Sequence, residues 1–341
     1  VGSEMCIRDR IQKDLDDGID TIGKKMTVCQ LYAKQIRHRG NVRYNTKNGR
    51  KRLMKLLEED KLGGCPIDSV KLSDAKEWAI RMKEKGISYK TISNDKRSLK
   101  AAFYTAIQDD CIRKNPFDFQ LNTVIEDDTE PKVPLTPAQE ESFLSFAQND
   151  KVYQKYYDEL IILLGTGLRI SELCGLTDTD INFENRIINV DHQLLRSAET
   201  GYYIETPKTK SGIRQIPMSE KVYEAFNRVL KRRRGAKAVT IDGYSNFLFL
   251  NRDGYPKTAT NYDGMFRGLA KKYNKYHEEA LPKVMTPHTL RHTFCTNMAN
   301  AGMNPKALQY IMGHSNITMT LNYYAHATFD SAKAEMLRIA A

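Results

Sequence analysis

Apolar residues recur with a helical period from Thr27 onward. Val28, Leu31, Tyr32 and Ile36 share one face of a helix that ends before Gly40. Leu53, Met54, Leu56 and Leu57 mark a second helix, closed near Gly63-Gly64. Asp74, with Glu77 three residues on, reads as an N-cap with its capping-box acid. Trp78, Ala79 and Met82 carry that third helix to Gly86. A fourth is predicted from about Tyr89 to Asp110, where Leu99, Phe103 and Ile107 stand four apart. Its opposite face carries Lys90, Lys96, Arg97 and Lys100, positions that suit either plain solvation or a phosphate backbone. Residues 21–125 thus read as a small helical bundle. Residues 1–20 show no such period and read as a tail or remnant.

Asn115-Pro116 stops the fourth helix, and the acidic stretch around Pro131 and Pro134 reads as a linker over 126–134. Thr136-Pro137-Ala138-Gln139 then supplies an N-cap, a proline at the first helical position and a capping-box Gln, so a second domain is predicted over 135–341. It is mostly helical with one β insertion. Arg186 to Val190 is rich in β-branched residues. Tyr202–Thr206 and Ile213–Ile216 flank the turn signal Lys210-Ser211-Gly212 and are predicted to pair as a hairpin. Helices resume at Val222, Tyr262, Thr289, Pro305 and Thr318.

Composition narrows the class. The 341 residues carry 53 Lys and Arg against 42 Asp and Glu, a net charge of +11 that favours a polyanionic partner. The longest aliphatic run, Leu160 to Leu164, is far too short for a membrane span, and no signal peptide opens the chain. Six scattered cysteines (Cys6, Cys29, Cys65, Cys111, Cys174, Cys295) form no C-x-x-C pair, which argues against a disulfide scaffold or a thiolate zinc site. A cytoplasmic protein is expected.

Three constellations carry candidate chemistry. Gly165-Thr-Gly-Leu-Arg-Ile-Ser-Glu-Leu lacks the Lys-Ser/Thr of a P-loop, but it sets Arg169 between Leu168 and Ile170. A partly buried Arg needs an anion, here either Glu172 or a bound phosphate. Thr286-Pro-His-Thr-Leu-Arg-His-Thr-Phe places His288, Arg291 and His292 at a helix start. It lacks the Glu and the third ligand of a zinc site, so an oxyanion suits it better than a metal. The third is Met312-Gly-His-Ser followed by Tyr323-Tyr-Ala-His. Separately, Lys231-Arg-Arg-Arg234 follows a helix end, where cations suit the dipole and also a DNA backbone.

Arg169, then His288-x-x-Arg291, then Gly313-His314, then Tyr323 nine residues later together resemble the tyrosine recombinase (phage integrase) family, in particular the integrases of conjugative transposons and related phages. The likeness is strong over 135–341 and weaker but consistent over 21–120. It implies a mainly α fold: a SAM-like helical core-binding bundle, then a mixed, mostly helical catalytic domain with a small β-sheet and hairpin. Residues 1–20 would be the remnant of a missing arm-binding domain.

The resemblance implies that a tyrosine hydroxyl attacks the scissile phosphate, leaving a 3′-phosphotyrosyl bond and a free 5′-hydroxyl. The bond energy is retained, so no ATP, metal or other cofactor is expected. Arg169 and Arg291 match the family's two arginines and His288 and His314 its two histidines, with His288 the better candidate base. Lys208, in a Lys-Thr pair, matches the hairpin general acid, with Lys210 the alternative. Tyr323 has the family's spacing from His314, whereas a Tyr-x-His ending selects Tyr324. One residue turns a helical side chain by ~100°, so only one can face the phosphate; Tyr323 is chosen. Glu172 matches an acid that orients Arg169. The tail from Asp330 would dock on a neighbouring protomer.

The implied function is integration and excision of a mobile element by a site-specific recombinase. Its partners would be double-stranded DNA at element ends and target, three further copies in a tetramer exchanging C-terminal tails, an excisionase and a DNA-bending helper, all at the bacterial nucleoid. The alternatives are a type IB topoisomerase-like relaxing enzyme and a catalytically inactive DNA-binding accessory protein.

Overall fold

In the computed structural model the described residues are 23–40, 42–131, 133–207, 209–233, 239–324 and 336–337. The remnant expected over 1–20, Lys208, Arg234 and nearly all of the tail lie outside them. The chain divides into two compact units, Val1–Glu130 and Pro131–Ala341.

The first unit holds four helices among the described residues: α1 (Val28–His38), α2 (Tyr44–Glu58), α3 (Leu72–Glu84) and α4 (Tyr89–Gln108). Thr27 caps α1 reciprocally, its hydroxyl accepting from Gln30 N at 3.2 Å while Gln30 Oε1 accepts from Thr27 N at 2.9 Å. That face buries Val28, Leu31 and Tyr32 against α2 and α4. Helix α3 starts earlier than the sequence suggested. Asp74 is not the N-cap but sits at the third helical position, accepting from Lys71 N at 2.8 Å. A carboxylate there reaches back to an open N–H as readily as a capping side chain reaches forward, so the local pattern fits both frames. Trp78 is fully buried, its ring edge-on to Phe117 at 5.7 Å, and truncation to Ala would cost roughly 3–5 kcal/mol.

The basic face of α4 is partly engaged within the unit. Lys100 lies 2.5 Å from Asp118, Lys96 sits 4.4 Å over the Phe119 ring, and Arg97 donates to Asn94 at 3.4 Å. Lys90 is exposed. Exposed pairs of this kind are worth little and can be exchanged for phosphates.

The second unit contains α5 (Pro137–Asn149), α6 (Tyr157–Thr166), α7 (Ile170–Gly175), β1 (Ile181–Asn182), β2 (Ile187–Val190), β3 (Gln193–Ser197), β4 (Gly201–Glu205), β5 (Arg214–Pro217), α8 (Glu220–Arg233), α9 (Ala259–Tyr276), α10 (Pro287–Asn300), α11 (Pro305–Met312) and α12 (Thr318–Leu321). Thr136, Pro137 and Gln139 start α5 with the expected capping box. Leu160, Ile162, Leu163 and Leu164 bury α6 against α8 and α10. The acids at its start are held by cations: Asp158 by Arg228 (2.8 Å) and Arg232 (2.6 Å), Glu159 by Lys257 (2.5 Å). Carboxylates at a helix N-terminus also complement its dipole.

The predicted hairpin is not the one that forms. β4 pairs antiparallel with β3, from Gln193↔Glu205 to Ser197↔Gly201, and β5 pairs with β2, Val190 opposite Arg214. The strands of Tyr202 and Ile216 therefore belong to different sheets, and Ile213 lies in neither. The tight turn lies one strand earlier, at Gly201 with φ +71°. Gln193–Ser197 lacks the β-branched signature, so its sequence does not announce a strand. Lys210–Gly212 is instead a single 3₁₀ turn, where a Cβ on Gly212 would fall 2.3 Å from Pro207 Cβ.

Candidate active site

Two glycines shape the site's backbone. Gly167 ends α6 with φ +63°, and a Cβ there would fall 2.5 Å from Phe294 Cδ1. This turn buries Leu168 and presents Arg169 as the residue capping α7. Gly313 ends α11 with φ +60°.

Glu172, one turn into α7, accepts from Arg169 N at 2.8 Å and Nη1 at 2.7 Å, while Arg169 Nη2 donates to Gly313 O at 3.1 Å. Arg291, in the second turn of α10, is 3% exposed. It donates to Gly167 O and to Met312 O, both at 2.5 Å. The two guanidinium groups therefore meet on the adjacent carbonyls of Met312 and Gly313. Arg169 keeps 38% of its side chain exposed. Burial and the nearby Arg169 push Arg291 down to about 9, a cost that an incoming anion would relieve.

His288 is exposed on the first turn of α10, and it stands close enough to His314 to act on it electrostatically. His314 is buried with Nδ1 3.0 Å from Thr320 Oγ1. Burial, then Arg291, Arg169, Arg214 and His288, hold it down to about 4, so it is neutral at pH 7. Tyr323 is half-buried beside Phe294, Cys295 and Met312, its ring 4.8 Å from that of His292. Burial and Cys295 raise its pKa, and the Arg291 cation opposes them. Tyr324 instead donates its hydroxyl to Met303 O. Lys210 is exposed in its 3₁₀ turn.

Sequence reasoning missed Arg214. Its side chain is wholly buried, with Nη2 2.8 Å from Glu172 Oε2. The signal was its inward position on β5, where Arg214 and Ile216 are buried while Gln215 and Pro217 are exposed. Against Glu172, burial acts to raise the pKa, but Arg214's hydrogen bond and charge, then Arg169 and Arg291, bring it down to about 2. Three guanidinium groups around one ionised carboxylate leave an excess of positive charge that suits a phosphodiester.

Among the described residues, Asp180, Asp191 and His192 also cluster. There both ring nitrogens of His192 are engaged, Nδ1 at 2.6 Å from Asp191 and Nε2 at 2.7 Å from Gly175 O, so the trio braces the end of α7.

The model of the phage integrase family matches residues 134–331. The transposase from transposon Tn916 of Enterococcus faecalis is 67% identical over 343 residues, spanning 99% of this chain and 84% of that one. The integrase of transposon Tn1549, solved in complex with transposon right end DNA, is 78% identical with a TM-score of 0.87, covering 93% of this chain and 100% of that one. Lambda integrase, at 16% identity and a TM-score of 0.59 over 87% of this chain and 76% of that one, shares the fold.

Fold and comparisons together define a tyrosine-type site-specific DNA recombinase. The chain belongs to the phage integrase family. The mainly α fold with small sheets expected from the sequence is the fold of these relatives, and the recombinase reading stands over a relaxing enzyme or an inactive binder. Among the described residues no helix is long and apolar enough to cross a membrane.

Proposed function

We propose that this chain integrates and excises a mobile element of the conjugative-transposon kind, with Arg169 and Arg291 gripping the scissile phosphate and Tyr323 attacking it. The observation that carries the reading is the meeting of both guanidinium groups on the carbonyls of Met312 and Gly313, within electrostatic reach of Tyr323. Each arginine can donate two N–H groups to the non-bridging oxygens, where charge grows in the transition state, and each is worth ~3 kcal/mol, as for an oxyanion-hole donor.

In the proposed step the Tyr323 oxygen bonds to phosphorus as the bond to the 5′-oxygen breaks. A phenol with a raised pKa needs a base, and His288 takes its proton. The leaving oxygen receives a proton from the loop lysine, Lys208 with Lys210 as the alternative. His314, neutral at pH 7, holds a hydrogen bond to the phosphate without repelling the arginines. Glu172 orients Arg169.

Residues 21–125, within the first unit, are the proposed core-binding domain, with Lys90, Lys96, Arg97 and Lys100 on DNA phosphates. Residues 126–134 link it to the catalytic domain over 135–341. The Tn1549 integrase has been solved with circular intermediate DNA, and that kind of junction is the proposed substrate here. Assembly as a tetramer with exchanged tails, an excisionase, a DNA-bending helper and action at the nucleoid complete the proposal.

A nicked suicide substrate carrying a circular-intermediate junction tests it. A covalent protein–DNA adduct, lost in Arg169→Ala and Arg291→Ala, is expected. No adduct with the wild type would overturn the reading. Relaxation of supercoils without strand-exchange products would favour a relaxing enzyme.

A further inference from the structure

We propose that Arg214 is a positioning residue for strand cleavage, a single guanidinium that locks Glu172, and through it Arg169, to the Lys210–Gly212 turn and to the end of α11. It makes four hydrogen bonds: Nη2 to Glu172 Oε2 at 2.8 Å, Nη1 to Glu172 Oε1 at 3.1 Å, Nη1 to Gly212 O at 3.0 Å and Nε to Ile311 O at 2.6 Å. These acceptors come from three separate pieces of the site. Glu172 is the direct holder of Arg169. Gly212 closes the turn that begins at Lys210. Ile311 is in the last turn of α11, just before Met312 and Gly313, whose carbonyls receive Arg291 and Arg169.

The planar fork of an arginine is what allows this. Two of its edges satisfy both carboxylate oxygens and two carbonyls at once, which a lysine ammonium cannot do with the same geometry. The approach is so close that a Cβ on Gly313 would come within 3.1 Å of Arg214 Nη1. β5 fixes the root of the side chain, since Arg214 pairs with Val190 of β2. A shift of the Lys210–Gly212 turn is thereby transmitted to Arg169, so the loop and the phosphate-gripping arginines assemble together.

The charged groups facing Glu172 are Arg169 at the start of α7, Arg214 on β5 and Arg291 on α10. Without Arg214, the buried carboxylate loses both its bidentate partner and the charge that lowers its pKa most, and it becomes protonated at higher pH.

The inference rests on the reading of Arg169 as a phosphate ligand. Single-turnover adduct formation on the suicide substrate, at saturating protein and across about pH 5 to 9, tests it in Arg214→Met, Arg214→Lys and the double variant Arg214→Met/Glu172→Gln. DNA affinity and thermal melting are measured alongside. Arg214→Met is expected to slow cleavage about 30-fold or more with affinity within about threefold, and to add an acid-side fall beyond the one that protonation of the proposed base His288 gives the wild type. Arg214→Lys should restore the wild-type profile but only part of the rate. The double variant should lose the added fall, because Glu172, the group that titrates, is gone. Wild-type cleavage in Arg214→Met, or a loss confined to DNA affinity, would overturn the proposal. If Arg214→Met does not fold, Arg214→Lys decides: a rate loss at unchanged affinity supports the proposal and a wild-type rate overturns it. Arg169→Ala separates the two readings. If it cleaves normally, the phosphate-ligand role fails; if it is inactive while the Arg214 variants behave as wild type, only the positioning role fails.

Discussion

Tyr324 donates its phenolic hydrogen to the carbonyl oxygen of Met303 at 2.5 Å. Its neighbour Tyr323 packs against His292 instead and feels the charge of Arg291. Two adjacent tyrosines that the sequence offers as equals are thus divided by geometry, one tied to backbone and the other within electrostatic reach of Arg291.

Tyr323→Phe should therefore abolish covalent adduct on a nicked substrate, whereas Tyr324→Phe should retain it. The second variant should lose only the Met303 hydrogen bond, a stability cost of ~1 kcal/mol. Adduct on gels and thermal melting read the two effects. Adduct lost in Tyr324→Phe but kept in Tyr323→Phe would reverse the assignment.

Glu172 has its folded pKa brought down from an ordinary 4.5 to about 2. A depressed carboxylate contributes stability that is present above the unfolded pKa and is lost as pH falls toward the folded one. The window is thus from about pH 4.5 down to about 2, and the contribution is ~3 kcal/mol. Urea unfolding at about pH 5 and pH 3 should show the wild type losing more stability than Glu172→Gln over that interval. Equal losses in the two proteins would refute the linkage.

His314 is expected to remain neutral through the whole range in which an ordinary histidine titrates. Its folded pKa of about 4 lies below the usual 6.5, so it resists protonation until well into acid. The unfolded chain binds that proton first, and His314 therefore contributes stability above about pH 6.5 that fades as pH falls toward 4. An NMR titration of its ring should be flat between about pH 8 and 5, while an exposed histidine moves. A midpoint near 6.5 would contradict the effect of burial and of the surrounding arginines.

Gly313→Ala should cost stability and cleavage together. The residue has φ +60°, and its new Cβ would lie 3.0 Å from Ser211 O and 3.1 Å from Arg214 Nη1. Strain of ~1–3 kcal/mol is expected, with cleavage reduced about tenfold or more because the Arg169 carbonyl partner moves. Gly254→Ala is the control, with φ +80° but nothing within 4 Å. It should pay in stability and leave the cleavage rate unchanged.

The helices were legible because their ends are chemically marked. Thr27 with Gln30, and Thr136 with Pro137 and Gln139, cap where the residue types say they should. Asp74 misled because the same carboxylate can serve two frames of one helix start. The strand pairing was not legible. Local residues around Lys210 announce a turn, but which strands flank a turn depends on register over longer stretches, and Gln193–Ser197 carries little β signature of its own. Motifs name the arginines, histidines and tyrosine proposed for the site. Arg214 lies outside them, and its inward place on β5 does not name its partner, Glu172, 42 positions away. Only the fold brings them to 2.8 Å.

Arg169 and Arg291 lean on carbonyls at the C-terminal ends of α6 and α11, where helix dipoles place partial negative charge. In the proposed reaction these backbone oxygens, with Glu172, are a resting counterweight for both cations. A rejoined duplex would then depart without stranding two unsatisfied guanidinium groups, and a strand transferase that releases its product would gain turnover from that provision.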